Sequence, residues 1–417
     1  MVLYRENRGL SRFPDIVRKG FGLRRQVAGE LASDYESELV SRARLSGHAL
    51  TWPGLSVRIA KEFGFCYGVE RAVDYAYETR RHFPDRRLLI TGEIIHNPGV
   101  NSRLRELGYE FLDGGHGSTV AFDEVGAEDV VLIPAFGVSI GLLARLRATG
   151  ALLVDTTCGS VLNVWKNVER FAREGYTCLI HGKWDHEETR ATASRALQYP
   201  GGRVLVVRNL EETEEVAAFI RAGQRARVDA FFASFAAAVS EGFDPRRDLQ
   251  RVGMANQTTM LSSESLQVAE VIRRALIDRW GAESIDEHFR AFDTICSATE
   301  DRQQAVLRMM ESPPELMIII GGYNSSNTGH LAEICAETVP TYHVEGAHEL
   351  LSASEIRHRP PHSGEMTISR DWLVGDQVEV GITAGASTPD REIGAVISRL
   401  LELRGIDAAE GGEPAAE

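Results

Sequence analysis

Three of the five cysteines in this 417-residue chain stand where a thiolate could do chemistry. Cys66 in FGFCYGVERA, Cys158 in VDTTCGSV and Cys296 in FDTICSAT each close an apolar run and open a stretch with helical spacing. A cysteine at a helix start meets unpaired backbone N–H groups and the positive end of the helix dipole, and both favour the thiolate. The three lie 92 and 138 residues apart, about one small α/β domain each, and the phrases DTTC and DTIC echo one another. Brought to one centre, three thiolates could bind Zn²⁺ together with a histidine, or hold a [4Fe–4S] cluster with one iron left open. On spacing alone, three unrelated loop cysteines are the favoured reading. Cys178 inside YTCLIHG and Cys335 on the apolar face of HLAEICAE read as buried structural thiols, since free cysteine behaves as a small hydrophobe.

The elements that must position these thiols are legible as rhythm. Short runs rich in Val and Ile (RLLITGEII, VVLIPAFG, ALLVDTTC, YTCLIHG, RVLVVRN, LMIIIGG, VEVGITAG) end in Gly, Ser, Thr or Asn, and helical stretches follow many of them. This is the pattern of βαβ units with buried parallel strands. The expected fold is α/β, with three similar units: residues 56–155 carrying Cys66, 156–290 opening on Cys158, and 291–402 carrying Cys296. Residues 1–55 read as an N-terminal extension rather than a core domain, 226–250 as a local insertion, and 403–417 as an acidic, disordered tail. After Cys66, the residues Val69, Ala72, Val73 and Ala76 mark the inner face of a helix, leaving Glu70, Arg71 and Asp74 facing away.

In parallel sheets the working residues collect beyond the strands' carboxyl ends. His96 follows one apolar strand; His181, His186, Glu187 and Glu188 follow another; Thr258 and Thr259 sit in NQTTM. Asn324, Ser325, Ser326 and Asn327 follow IIIGGY, and Ser387 closes ITAGAS. Hydroxyl, amide and imidazole groups at successive strand ends are what a phosphate site built from side chains and helix N-termini requires. Each also has an ordinary explanation as a helix cap. Ser387 with Thr, Pro and Asp after it fits a cap with proline in the first turn, and Asp185 with Glu188 fits a capping box.

Composition narrows the classes. No apolar run reaches the roughly 18–20 residues that span a bilayer, and the charged start MVLYRENRGLSRF lacks a signal peptide's apolar core. The expectation is a cytoplasmic protein away from membranes. An odd cysteine count without C-x-x-C argues against a disulfide framework. A net charge of −14 argues against general nucleic-acid binding but leaves room for an anionic small substrate in a locally positive pocket.

Taken in order, GFCYGVERA, EIIHN, DTTC, HGKWDHEET, QTT, DTICSATEDRQ, NSSN and TAGAS resemble the 4-hydroxy-3-methylbut-2-enyl diphosphate reductase (IspH/LytB) family, from about residue 56 to 400. The wording AFGVS and HGKWDHEET is closest to the longer branch typical of photosynthetic organisms. The resemblance implies three pseudo-equivalent α/β domains around one [4Fe–4S] cluster, with Cys66, Cys158 and Cys296 at its ligand positions and the fourth iron open to the substrate hydroxyl. It implies a two-electron, two-proton reductive dehydroxylation giving isopentenyl and dimethylallyl diphosphates, the last step of the non-mevalonate isoprenoid route. His96, His186, Ser325, Ser326, Asn327 and Ser387 would hold the diphosphate, and Glu188 would be the acid, acting with Thr258. The implied electron donor is ferredoxin or flavodoxin; a monomer or homodimer is expected. The competing readings are a hydrolyase whose open iron is only a Lewis acid, and a non-enzymatic sensor of metal or oxygen. One position departs from the pattern: many members carry histidine before Gly-Val-Ser, where this chain has Phe136. His181 is the nearby candidate to supply the missing contact.

Overall fold

The computed structural model describes residues 16–112, 118, 120–292 and 294–408. Its strands form three main sheets. The first runs Ile16–Val17, Leu152–Asp155, Val130–Ile133, Leu88–Ile90, Tyr109–Phe111, all parallel. The second runs Phe289–Ala291, Val252–Asn256, Thr177–His181, Val204–Val207, again all parallel. The third runs Thr341–Val344, Leu316–Ile320, Val378–Ala384, Leu55–Ile59, Ala49–Trp52, parallel except for its antiparallel last pair. Every residue is buried in the strands Val130–Ile133, Thr177–His181, Val204–Val207 and Leu316–Ile320. Helices cover such sheets on both faces, which is why these strands read as unbroken apolar runs.

The three cysteines occupy the same topological place, but not in the units their order suggests. Cys66 follows Leu55–Ile59, a strand of the third sheet; Cys158 follows a strand of the first, and Cys296 one of the second. The helix beyond each cysteine packs into the next core. Tyr67–His82 gives Ala72, Val73, Ala76 and Tyr77 to the first core. Gly159–Arg173 gives Val164, Val168 and Phe171 to the second, and Ser297–Met310 gives Ala305, Val306 and Met309 to the third. Each cysteine therefore marks a crossover between units, and residues 56–155 are not one unit. Leu55–Ile59 pairs with Val378–Ala384, so the third sheet joins chain segments far apart in sequence.

The segment expected to be an extension is instead structural from residue 16 onward. Ile16–Val17 lengthens the first sheet, Ala49–Trp52 edges the third, and Val27, Tyr35, Val40, Leu50 and Trp52 are buried. The helix Arg24–Tyr35 lies over the Cys66 helix, so Asp74 does not face water. It is 7% exposed, its carboxylate meets Arg24 Nε at 2.9 Å, and burial raises its pKa to about 6. The weak periodicity before residue 55 reflects helices that bury a few residues each against elements distant in sequence.

Residues 226–250 likewise complete a core: Phe231, Phe235, Phe243 and Leu249 are buried with Leu205, Val252 and Met254. Each such side chain contributes roughly 1.5–3 kcal/mol of burial. The helix Asp390–Arg404 enters the expected tail by two residues, and 409–417, like 1–15, lie outside the described residues.

Candidate functional site

Cys66, Cys158 and Cys296 are the N-cap residues of the helices Tyr67–His82, Gly159–Arg173 and Ser297–Met310. All three line one central cavity. Their backbone N–H groups are fixed in the same way. Cys66 N donates to Ala386 O at 3.1 Å, Cys158 N to Ala135 O at 2.7 Å and Cys296 N to Thr258 O at 3.3 Å. In each case the acceptor lies just past the parallel neighbour of the strand that leads to the cysteine. The repeat heard in DTTC and DTIC is thus a repeat of hydrogen bonding, and it includes Cys66.

The same order extends one strand further in each sheet. Beside Cys66 come Ser387 and then Ser325–Asn327; beside Cys158 come Phe136 and then His96; beside Cys296 come Thr258 and then His186 with Glu188. Cys66, Cys158, Cys296, His96, His186, Glu188, Thr258, Ser325, Ser326, Asn327 and Ser387 all line this cavity. His181 does not. It is buried in the strand Thr177–His181, its Nδ1 2.8 Å from Ser265 Oγ, and burial pushes its pKa down to about 4.

Glu188 is the most perturbed acid of the cavity wall. Burial raises its pKa to about 7, against the pull of two hydrogen bonds from Thr258: N to Oε1 at 2.6 Å and Oγ1 to Oε2 at 2.9 Å. The capping-box reading fails here. The helix Glu187–Leu197 is capped by His186, whose Nδ1 accepts from Glu188 N at 3.1 Å, so the carboxyl of Glu188 takes no part in the cap. That bond also fixes the neutral His186 tautomer, leaving the proton on Nε2 as a donor. Burial pushes the pKa of His186 down to about 3, so the ring is neutral.

His96 has Nδ1 2.9 Å from Glu93 Oε2, and its buried Nε2 makes no hydrogen bond, with Glu187 Oε2 3.9 Å away. Phe136 stacks flat on it, ring centroids 4.8 Å apart and planes 8° apart, and His186 stands edge-on at 5.0 Å. Phenylalanine offers no hydrogen bond here but a flat surface that fixes the plane of His96. Asn327 is 2% exposed, and both polar atoms of its amide lack a partner. Buried polar atoms left unpaired in a cavity fit an absent polar ligand, since burial without a bond costs about 1–3 kcal/mol. Ser325 caps the helix Ser326–Ala336 while lining the cavity. Ser387 is not a cap, because Pro389 holds that place before Asp390–Arg404. Its hydroxyl donates to His96 O at 3.0 Å and ties two loops together.

Two donor sets could hold a metal. His96, His186 and Glu187 bring ligand atoms within 4.8 Å of one another, the only such group among the described residues. The tautomer of His186 opposes that use, because its free nitrogen carries the proton; a donor pointed at an anion fits better. The cysteine sulfurs are spaced more widely than 4.8 Å as a set. One Zn²⁺ at about 2.3 Å from each sulfur would bring them to within about 4 Å of each other. A polynuclear iron–sulfur group matches the wider spacing and the soft donors. Gly68 leaves room for it: a Cβ there would meet Cys158 Sγ at 2.5 Å and Cys66 Sγ at 3.9 Å. Burial raises the pKa of Cys178 to about 12 and that of Cys335 likewise, and neither lines the cavity.

Two residues outside the cavity wall brace its loops. Gln257 accepts from Lys183 N and Thr189 Oγ1, both at 3.1 Å, and donates to Thr259 Oγ1 at 2.8 Å, locking the Glu188 helix to the Thr258 loop. Glu392 accepts from Asn97 Nδ2 at 2.9 Å and so anchors the His96 loop to the helix after Ser387. Their signal was only adjacency to better-understood residues.

A family model described as LytB protein matches residues 57–401. A relative from Gloeobacter violaceus, 48% identical over 93% of both chains, is named 4-hydroxy-3-methylbut-2-enyl diphosphate reductase. One of the same name from Thermosynechococcus vestitus is 46% identical over 93% of this chain and 95% of its own. Among solved structures, that of an (E)-4-hydroxy-3-methyl-but-2-enyl diphosphate reductase, called the terminal enzyme of the non-mevalonate pathway, is 30% identical. It has a TM-score of 0.50 and covers 83% of this chain and 99% of that one. The Plasmodium falciparum reductase structure, 19% identical with a TM-score of 0.61 over 83% of this chain and 87% of that one, supports the fold.

Proposed function

The chain belongs to the LytB family and is a 4-hydroxy-3-methylbut-2-enyl diphosphate reductase of the last step of the non-mevalonate isoprenoid route, and we propose that the cavity between its three sheets is where that reduction takes place. The observation that carries this assignment is the buried Glu188 carboxyl, its pKa raised to about 7, in a cavity shared with three N-cap cysteines.

The family implies an iron–sulfur cofactor. We assign a [4Fe–4S] cluster to Cys66, Cys158 and Cys296, with one iron free of cysteine. When bound, such a cluster supplies electrons one at a time and Lewis acidity at that iron. The chain's own residues do the rest. Neutral His186 donates through Nε2 to the diphosphate. Ser326, Asn327 and the N–H groups opening the helix Ser326–Ala336 complete the anion cradle, with His96 and Ser325 alongside. Ser387 keeps the His96 loop in place. Glu188, as the acid, gives its proton to the departing hydroxyl, and the Thr258 hydroxyl bonded to Oε2 is placed to pass on a replacement. Two electrons and two protons enter, water leaves, and the allyl diphosphate becomes isopentenyl or dimethylallyl diphosphate. One-electron delivery suits a ferredoxin or flavodoxin as donor.

The test is anaerobic reconstitution with iron and sulfide analysis, reduced-state EPR and turnover with and without a donor. About four irons per chain and donor-dependent turnover are expected. Turnover at full rate without a donor would point to the hydrolyase, and an active, colourless zinc protein would exclude the cluster.

Phe136 supplies a second test. An aromatic pair is worth about 0.5–1.5 kcal/mol, so Phe136→Ala should raise KM by about 2- to 12-fold with kcat nearly unchanged. Phe136→His should hold KM at or below the parent value. A fall in kcat without a change in KM would show that the ring serves the chemistry and not the anion.

A further inference from the structure

Arg302 sits one and a half turns into the helix after Cys296 and is 4% exposed. Its Nη1 donates to Ala298 O at 2.7 Å and its Nη2 to Gly64 O at 2.6 Å. These carbonyls lie two residues after Cys296 and two residues before Cys66, so one guanidinium joins the two cysteine loops. No carboxylate pairs with it among the described residues, and its Nε is buried without a partner. Burial disfavours its charge; the nearby Cys66 and Cys296 thiols, once ionised, favour it most, and the Glu62 and Asp301 carboxylates add to them.

The arrangement recurs at the next junction. Arg71, in the helix after Cys66, donates through Nη2 to Thr156 O at 3.0 Å and also to Thr157 O, just before Cys158. Its Nε too is buried without a partner. At the third junction, from the Cys158 helix to Cys296, the corresponding positions are Asn163 and Val164. Two of the three crossovers therefore carry a guanidinium clamped to carbonyls that flank the cysteines, buried at Arg302 and half-buried at Arg71, where it also lies 5.5 Å from the centre of the Tyr75 ring.

A buried cation held only by carbonyls is costly unless a negative charge lies nearby. Three thiolates on a [4Fe–4S]²⁺ core leave one net negative charge, and reduction adds another. We propose that Arg302, with Arg71 as its counterpart, is a positioning residue that supplies the counter-charge for the three-cysteine centre and favours its reduced state. This rests on the cluster assignment above. Arginine suits the task because its planar fork reaches two carbonyls at once and keeps its charge when buried.

The experiment is redox titration followed by EPR on anaerobically loaded wild type, Arg302→Gln and Arg302→Lys, with iron per chain measured alongside. Arg302→Gln should shift the one-electron reduction equilibrium about tenfold toward the oxidised form, 59 mV for one electron. Arg302→Lys keeps the charge and should stay within about threefold of wild type, while losing iron to a chelator faster because the fork is gone. A Gln variant with the wild-type potential overturns the proposal. So does a Lys variant displaced as far as Gln, which would make the effect one of shape. Should Arg302→Gln hold no iron, Arg71→Gln carries the same measurement with the same expected direction, and an unshifted potential there overturns it. A wild type without a cluster signal would instead refute the cofactor assignment beneath it.

Discussion

Glu188→Gln is expected to bind substrate about as well as the parent and to lower kcat by about 10²–10⁴-fold, the usual range for removing a general acid. The amide keeps the shape of the carboxyl and can accept from Thr258 N, as Oε1 does at 2.6 Å. It cannot release a proton, so the loss falls on the step in which the hydroxyl departs. The pH profile should carry the same signature. Burial raises the Glu188 pKa to about 7, so the acid form dominates below that value. Activity limited by this proton should fall about tenfold per unit as pH rises beyond it, and the bound diphosphate anion displaces the fall to higher pH. Single-turnover rates across pH, measured on fully loaded protein, check both statements. A variant with lowered stability but normal turnover per cluster would return Glu188 to a purely structural role, and a profile rising through pH 7 would reassign the acid.

The strand-end logic that led to Glu188 carried far, because a buried parallel sheet writes itself as apolar runs and exposes its loops at one end. The three cysteines, the acid and the anion-binding candidates other than His181 line one cavity for that reason. What could not be read from order was which unit owns which loop. Cys66 is first in the chain, yet its strand Leu55–Ile59 pairs with Val378–Ala384, more than 300 residues later. Nothing local encodes that pairing, so residues 56–155 looked like a unit and the preceding segment like an extension. Asp74 misled for the same reason, since the Arg24 that meets it comes from a helix 50 residues earlier. The capping errors were different in kind. Asp185 and Glu188 have the right spacing for a box, but His186 takes the cap with its ring nitrogen, a use the usual preferences underweight. At Ser387 the proline that looked like the first turn is itself the cap.

Sorting five cysteines into three and two gives the sharpest prediction of composition. Cys158→Ser should reduce iron and sulfide per chain at least tenfold after anaerobic reconstitution and abolish turnover, whereas Cys178→Ser should change neither. The chemistry differs at the two places. Cys158 caps a helix at the cavity edge, where a thiolate is a soft iron ligand; a serine hydroxyl is harder and stays protonated near neutrality. Cys178 is fully buried in the second sheet, where its Sγ lies 3.4 Å from Val168 O and burial raises its pKa to about 12. A hydroxyl there can donate to the same carbonyl, so the change should cost only about 1–2 kcal/mol of stability. Denaturant midpoints and iron content measured on the same samples separate the two effects. Equal iron loss in both variants would undo the sorting. Full iron in Cys158→Ser would do so from the other side, leaving the convergence of three N-cap thiols on one cavity without its cluster.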